Sequence, residues 1–189
     1  MLIMKLNLGC GSKILEGYTN VDKFDYYKPD IVHDLEITPY PFEDNSIDEI
    51  ILNHVLEHIG QDPNIFNNII KELYRICKNK TVIYIRVPHP RHDDFISDPT
   101  HVRPVTILGL QLYDKELNEK WEKGGFANSP LALIHNVNFK VFNVVYVVDD
   151  KYKKLLNEKK ITESEVNEFM HKYNNVIKEI QIEWSVIKD

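Results

Sequence analysis

The sequence predicts a doubly wound α/β sandwich, on three observations. Five strand-like runs crowd the first ninety residues, at 5–8, 19–22, 30–34, 47–53 and 81–87. A glycine turn, Gly9-Cys10-Gly11, follows the first run directly. A segment of helical period separates the last two runs, which makes a strand–helix–strand unit with a right-handed crossover.

Each element has a local reason. "LNL" is a short apolar run that stops at glycine. "IDEIILN" (47–53) and "TVIYIRV" (81–87) are rich in β-branched residues and nearly continuous in apolar character, as parallel strands buried on both faces are. Between them, Asp62 is a good N-cap and Pro63 suits the first helical position. Ile65, Phe66, Ile69, Ile70, Leu73 and Tyr74 then recur at helical spacing. Residues 88–104 read as a polar loop, and a helix is expected from Val105 to Lys120. "FKVFNVVYVVDD" (139–150) and "EIQIEWSVIK" (179–188) are the last two strands. The stretch between them, about 151–177, is a helical insertion. Thr162 and Glu165 form a capping box there, with Ile161 and Val166 at the staple positions. The stripe Val166, Phe169, Met170 and Tyr173 packs inward or could serve as a homodimer surface. Without repeats or low-complexity linkers, residues 1–189 read as one domain.

Composition excludes several classes. At 43% hydrophobic and 28% charged residues, the chain is globular rather than disordered. A net charge of -6 weighs against nucleic acid as a partner. Cys10 and Cys77 make no disulfide framework, so a reducing, cytoplasmic setting is expected. The opening "MLIMKLNL" is too short for a signal peptide, and no apolar run reaches membrane-span length.

The glycine turn narrows the ligand. A dinucleotide loop needs a third glycine, where Ile14 stands, and an acid roughly 20 residues on. Here Asp22 follows Gly11 by only 11 residues, too few for a full intervening helix. No Gly-Lys-Ser/Thr closes a phosphate loop. What remains suits a nucleoside without phosphates. Two glycines admit close backbone approach, Asp22 can accept from ribose hydroxyls, and Asp34 can accept from an adenine amino group. A cationic nucleoside, S-adenosylmethionine, fits such an acidic rim.

The succession "LNLGCG", "NVD", "HDLE", "PFEDNSIDEI" and "NHVLEHI" resembles the class I S-adenosylmethionine-dependent methyltransferases, over roughly residues 5–90. The resemblance implies a Rossmann-like sheet of seven strands with the last antiparallel. It implies that Gly9, Cys10 and Gly11 wrap the cofactor through backbone, that Asp22 holds the ribose, and that Asp34 and Leu35 contact the adenine. Asn53 would line the methionine portion. Asn7 stands where the family often has an acid for the methionine amino group, and the first helix is abbreviated.

The acceptor side rests on histidines. In "HVLEHI", His54 and His58 share a face if the segment is helical. His54, next to the strand tip, is the better placed to face substrate. Glu57 and His58 read first as structural. "PHPRHDDFISDPTHVRP" (88–104) allows three readings: a substrate lid that supplies a general base, a metal site, or a rigid loop. The lid reading is taken, with His54, His89 and His101 as catalytic candidates and no metal ligand assigned. The fourth strand ends in "NHV" rather than the Pro-Pro-Tyr/Phe pattern of DNA base methylation, which favours a small-molecule or sugar-type acceptor. The competing reading is a non-catalytic S-adenosylmethionine-binding scaffold or regulatory protein.

Overall fold

The computed structural model describes residues 3–188; Met1, Leu2 and Asp189, at the ends of the expected domain, lie outside it. The seven strands are β1 (Lys5–Leu8), β2 (Thr19–Asp22), β3 (Ile31–Val32), β4 (Ile47–Asn53), β5 (Cys77–Pro88), β6 (Phe139–Val148) and β7 (Ile177–Val186). They form one sheet in the order β3-β2-β1-β4-β5-β7-β6. Strands β1 to β5 pair in parallel, whereas β7 runs antiparallel to both β5 and β6. This is a Rossmann-like α/β sheet with the last strand reversed, as expected.

Helix α1 (Pro63–Ile76) starts where the sequence places it. The Asp62 carboxylate accepts from the Asn64 N–H at 2.7 Å, and Pro63 opens the helix. Phe66, Ile69, Ile70, Leu73 and Ile76 from this helix meet Leu6, Leu8, Ile50, Leu52, Ile83 and Ile85 from the sheet in one core. α2 (Asp93–Ile96) is a single turn inside the polar loop.

The expected helix 105–120 is instead two, α3 (Ile107–Gln111) and α4 (Lys115–Lys123). Asp114 breaks it, because its carboxylate caps the second helix by accepting from the Leu117 N–H at 3.0 Å. The corner buries Tyr113 against Trp184, which itself stacks on Phe139 with centroids 3.9 Å apart. α5 (Leu131–His135) has no counterpart in the sequence reading; its end is marked by Asn136 in the left-handed region. The insertion holds α6 (Asp150–Asn157) and α7 (Glu163–Lys172) over a small separate core of Val166, Val176 and Ile177. The Thr162–Glu165 capping box is present in both directions.

Two expectations about strands need correction. The run 30–34 yields only Ile31–Val32, because the Asp30 carboxylate accepts from Asn20 and Asp34 heads a turn through Glu36 and Ile37. Strands β4 and β5 are also not buried on both faces. Ile50, Leu52, Ile83 and Ile85 face α1, but Glu49, Ile51, Tyr84 and Arg86 line a broad groove of about 780 Å³ on the opposite face. Between β1 and β2 the described residues form turns only, and between β2 and β3 a single 3-10 turn (Asp25–Tyr27). The abbreviated first crossovers therefore leave that face of the sheet open.

Candidate active site

The carboxyl ends of β1, β2 and β4 surround a pocket of about 220 Å³, at the position where ligands bind open α/β sheets. Gly9, Gly11, Asp22, Leu35, Val55 and His54 contribute to its lining. The two glycines do different work. Gly9 has a φ of 65°, and a Cβ there would lie 2.6 Å from Val55 Cγ2, so this glycine lets β1 close against the turn after β4. Gly11 has a φ of 49°, and a Cβ there would meet nothing within 4 Å. Its missing side chain faces open space beside the pocket.

Cys10, between them, is 5% exposed and donates its N–H to the Val21 carbonyl at 3.0 Å. Burial, and then the Asp22 charge, push its thiol pKa up, away from nucleophilic character. Asp22 locks the loop. One carboxylate oxygen accepts from the Gly11 N–H at 2.8 Å and the other from the Phe24 N–H at 3.0 Å. A carboxylate oxygen has two acceptor sites, so each keeps one for a ligand hydroxyl. Asp34 accepts from the Glu36 N–H at 3.0 Å, and the neighbouring Leu35 is buried, its carbonyl held by the Tyr40 hydroxyl at 2.8 Å.

Asn7 and Asn53 do not join these residues. Both line the open groove on the other face of the sheet, and the buried Asn7 amide donates to the Lys13 carbonyl and to Asn20 Oδ1 at 2.7 and 2.8 Å. Phe24, Tyr27 and Ile59 line the pocket and escaped the sequence reading. The signal for Phe24 and Tyr27 is in "DKFDYY", where aromatics follow the acidic strand end and stay solvent-facing: Phe24 is 62% exposed.

The three histidines are separated by the fold. "HVLEHI" is not an α-helix: His54 takes a left-handed φ of 57° and only Leu56–His58 form a 3-10 turn, so His54 and His58 do not stack on one helical face. His54 lines the pocket and lies between two carboxylates, with Nδ1 3.2 Å from Glu57 and Nε2 3.0 Å from Glu179. The hydrogen bond with Glu57 raises its pKa, outweighing burial, and Glu179 adds to the effect. His89 and His101 do not line the pocket. His89 Nδ1 accepts from the Arg91 N–H at 3.2 Å, and burial followed by the Arg91 and His92 charges lowers its pKa. His101 is packed beneath Phe95 and against His58. Glu57 is fully buried, and its carbonyl accepts from the Val102 and Arg103 N–H groups, which clamps "DPTHVRP" onto "HVLEHI".

The residues fit S-adenosylmethionine: an open backbone cradle at Gly11, an acid with spare acceptor sites, and apolar walls at Leu35, Val55 and Ile59. Comparisons agree. Residues 6–85 match the family model of the methyltransferase domain. No curated protein matches the chain. Among solved structures, the chain is similar to a SAM-dependent methyltransferase from Archaeoglobus fulgidus (TM-score 0.59, 18% identity, 97% of this chain and 86% of that one). It is also similar to SAM-dependent methyltransferases from Methanosarcina mazei (TM-score 0.56, 14% identity, 100% and 95% covered) and Mesorhizobium loti (TM-score 0.53, 13% identity, 97% and 91% covered). At these identities the structures show the shared fold. The matched stretch carries the glycine turn, Asp22 and Asp34, and it lies on a fold shared with S-adenosylmethionine-dependent methyltransferases.

Proposed function

We propose that this enzyme methylates a small polar acceptor of the sugar type, bound beside His54. The cofactor would lie on the backbone of Gly9, Cys10 and Gly11, with its ribose hydroxyls donating to Asp22 and its adenine against Asp34 and Leu35. When bound, the cofactor supplies an activated methyl and its own sulfonium leaving group. The chain then has to align acceptor and donor and exclude water, which accounts for most of what such an enzyme contributes.

His54 carries the reading. Of the three candidate histidines it alone lines the pocket, and its side chain is 42% exposed there. Glu57 holds Nδ1 and so orients the ring; Glu179 at Nε2 is the partner an acceptor hydroxyl would displace. Nε2 would take the proton of the acceptor hydroxyl, and Glu57 would stabilise the resulting imidazolium. The freed Glu179 carboxylate can accept from a neighbouring hydroxyl, which suits a polyol better than an apolar acceptor.

The experiment is a screen of sugars and sugar conjugates for methylation with labelled S-adenosylmethionine, repeated with His54→Gln. The variant should keep cofactor affinity and lose turnover by about 10²–10⁴-fold. Full turnover by His54→Gln on an identified acceptor removes the base from the mechanism and leaves alignment alone.

A further inference from the structure

The cofactor pocket leaves "DPTHVRP" unused, yet the fold clamps it onto "HVLEHI" through the Glu57 carbonyl. We infer that Glu57, His58 and His101 form a binding site for a divalent transition-metal ion. One ligand atom from each lies within 4.8 Å of the others.

The hydrogen bonds around them fix which atoms are free. His101 Nδ1 is 2.8 Å from the Phe95 carbonyl, which can only accept, so Nδ1 carries the proton and Nε2 a lone pair. The Thr100 hydroxyl donates to Asp98 Oδ1 at 2.6 Å. Its one proton is thereby used, so at 2.9 Å it accepts from His58 Nδ1, and His58 Nε2 also keeps a lone pair. Glu57 Oε1 is taken by His54 Nδ1, while Glu57 Oε2 is buried and has no hydrogen-bond partner among the described residues.

His58 and His101 thus each keep an imidazole lone pair and Glu57 an unpartnered carboxylate oxygen, on three residues that bring ligand atoms within 4.8 Å of one another. Each is backed by a hydrogen bond of the kind that orients metal ligands. Asp98 Oδ2, 3.8 Å from His101 Nε2, is too distant for a hydrogen bond and adds negative charge beside the site. A set of two His and one carboxylate suits Zn²⁺ and neighbouring first-row ions, and leaves coordination positions open. His58 lines both the cofactor pocket and a cleft of about 500 Å³ with Glu36, Gln61 and Asp62, so those positions have access to solvent. The site stands on hydrogen-bond geometry and does not depend on the acceptor proposed above.

The test uses the full chain, stripped with chelator and dialysed. Co²⁺ is titrated and its visible d–d absorption recorded; Zn²⁺ is then measured by competition with a chromophoric chelator. One ion should bind per chain, with the band intensity of a four- or five-coordinate nitrogen/oxygen site. His58→Ala, at the accessible edge, should weaken binding by about 100-fold or more, and Glu57→Gln likewise. Zn²⁺ should also raise the melting temperature of the wild type more than that of His58→Ala. If the wild type binds neither ion, or if His58→Ala binds as tightly as the wild type, the site is wrong.

Discussion

Adding one methyl group at each of the two glycines separates folding from binding. Both sit in the left-handed region, so alanine costs roughly 1–2 kcal/mol in backbone strain at either position. At Gly9 the new Cβ would also be 2.6 Å from Val55 Cγ2 and 3.0 Å from Cγ1, so the β-branched Val55 must move or the turn must open. Overpacking of this kind adds about 1–3 kcal/mol. Gly9→Ala should therefore lose about 2–5 kcal/mol, a fall of roughly 4–20 °C in Tm for a chain of this size. Gly11→Ala meets nothing within 4 Å and should lose only the strain, roughly 2–8 °C. Its methyl group projects where the cofactor approaches the backbone, so S-adenosylmethionine affinity should fall at least about tenfold, or about 1.4 kcal/mol. Urea unfolding of both variants, with calorimetric titration of cofactor into each, reads the two effects separately. The reasoning fails if Gly11→Ala binds S-adenosylmethionine like the wild type, or if Gly9→Ala is the more stable of the pair.

Further outcomes follow from the same geometry. Asp22→Ala removes the acceptor for the Gly11 and Phe24 N–H groups and a charged contact to the ribose worth about 1.5–3 kcal/mol, so cofactor affinity measured by calorimetry should drop tenfold or more. Glu72 supports acid-sensitive stability. Burial alone would raise its pKa, but hydrogen bonds from Arg75 and the Tyr40 N–H outweigh burial and hold it below the ordinary value. Its contribution is thus present above the unfolded carboxylate pKa and lost as pH falls through the lowered folded one. Glu72→Gln should be less stable at neutral pH, with the difference shrinking in acid; a constant gap in pH-resolved urea melts would show that another group is responsible. Thr162→Ala breaks the capping box and should cost about 0.5–2 kcal/mol, with faster amide exchange in α7 and unchanged cofactor affinity.

Much of the fold is legible because its signals are local. The strand β1, the glycine turn, the Asp62-Pro63 start of α1 and the Thr162 box each depend on residues within one or two turns of chain. Asp114 is an equally local cap, since its carboxylate accepts from the Leu117 N–H three residues on. The open sheet face is obscured. Ile51 and Tyr84 favour strands whether or not a helix covers them, so β-branched and aromatic content hides the alternation of Glu49, Ile51 and Asn53 with Ile50 and Leu52. At the site, the turn residues and Asp22 come from one short stretch and were readable. The clamp of Glu57 on Val102 and Arg103, and the Glu179 contact to His54, join residues far apart in sequence, and no local pattern encodes them. Asn7 illustrates a local surprise: its amide is satisfied by Asn20 and Lys13, so its strand-end position does not expose it.

Titration calorimetry of S-adenosylmethionine into the wild-type chain, with NAD as the control ligand, decides whether this pocket takes that cofactor. The short Gly11–Asp22 spacing and the open side of Gly11 predict one S-adenosylmethionine bound per chain, competition by its demethylated product, and no heat from NAD. Binding of NAD in preference to S-adenosylmethionine, or no binding of S-adenosylmethionine at all, would contradict the account.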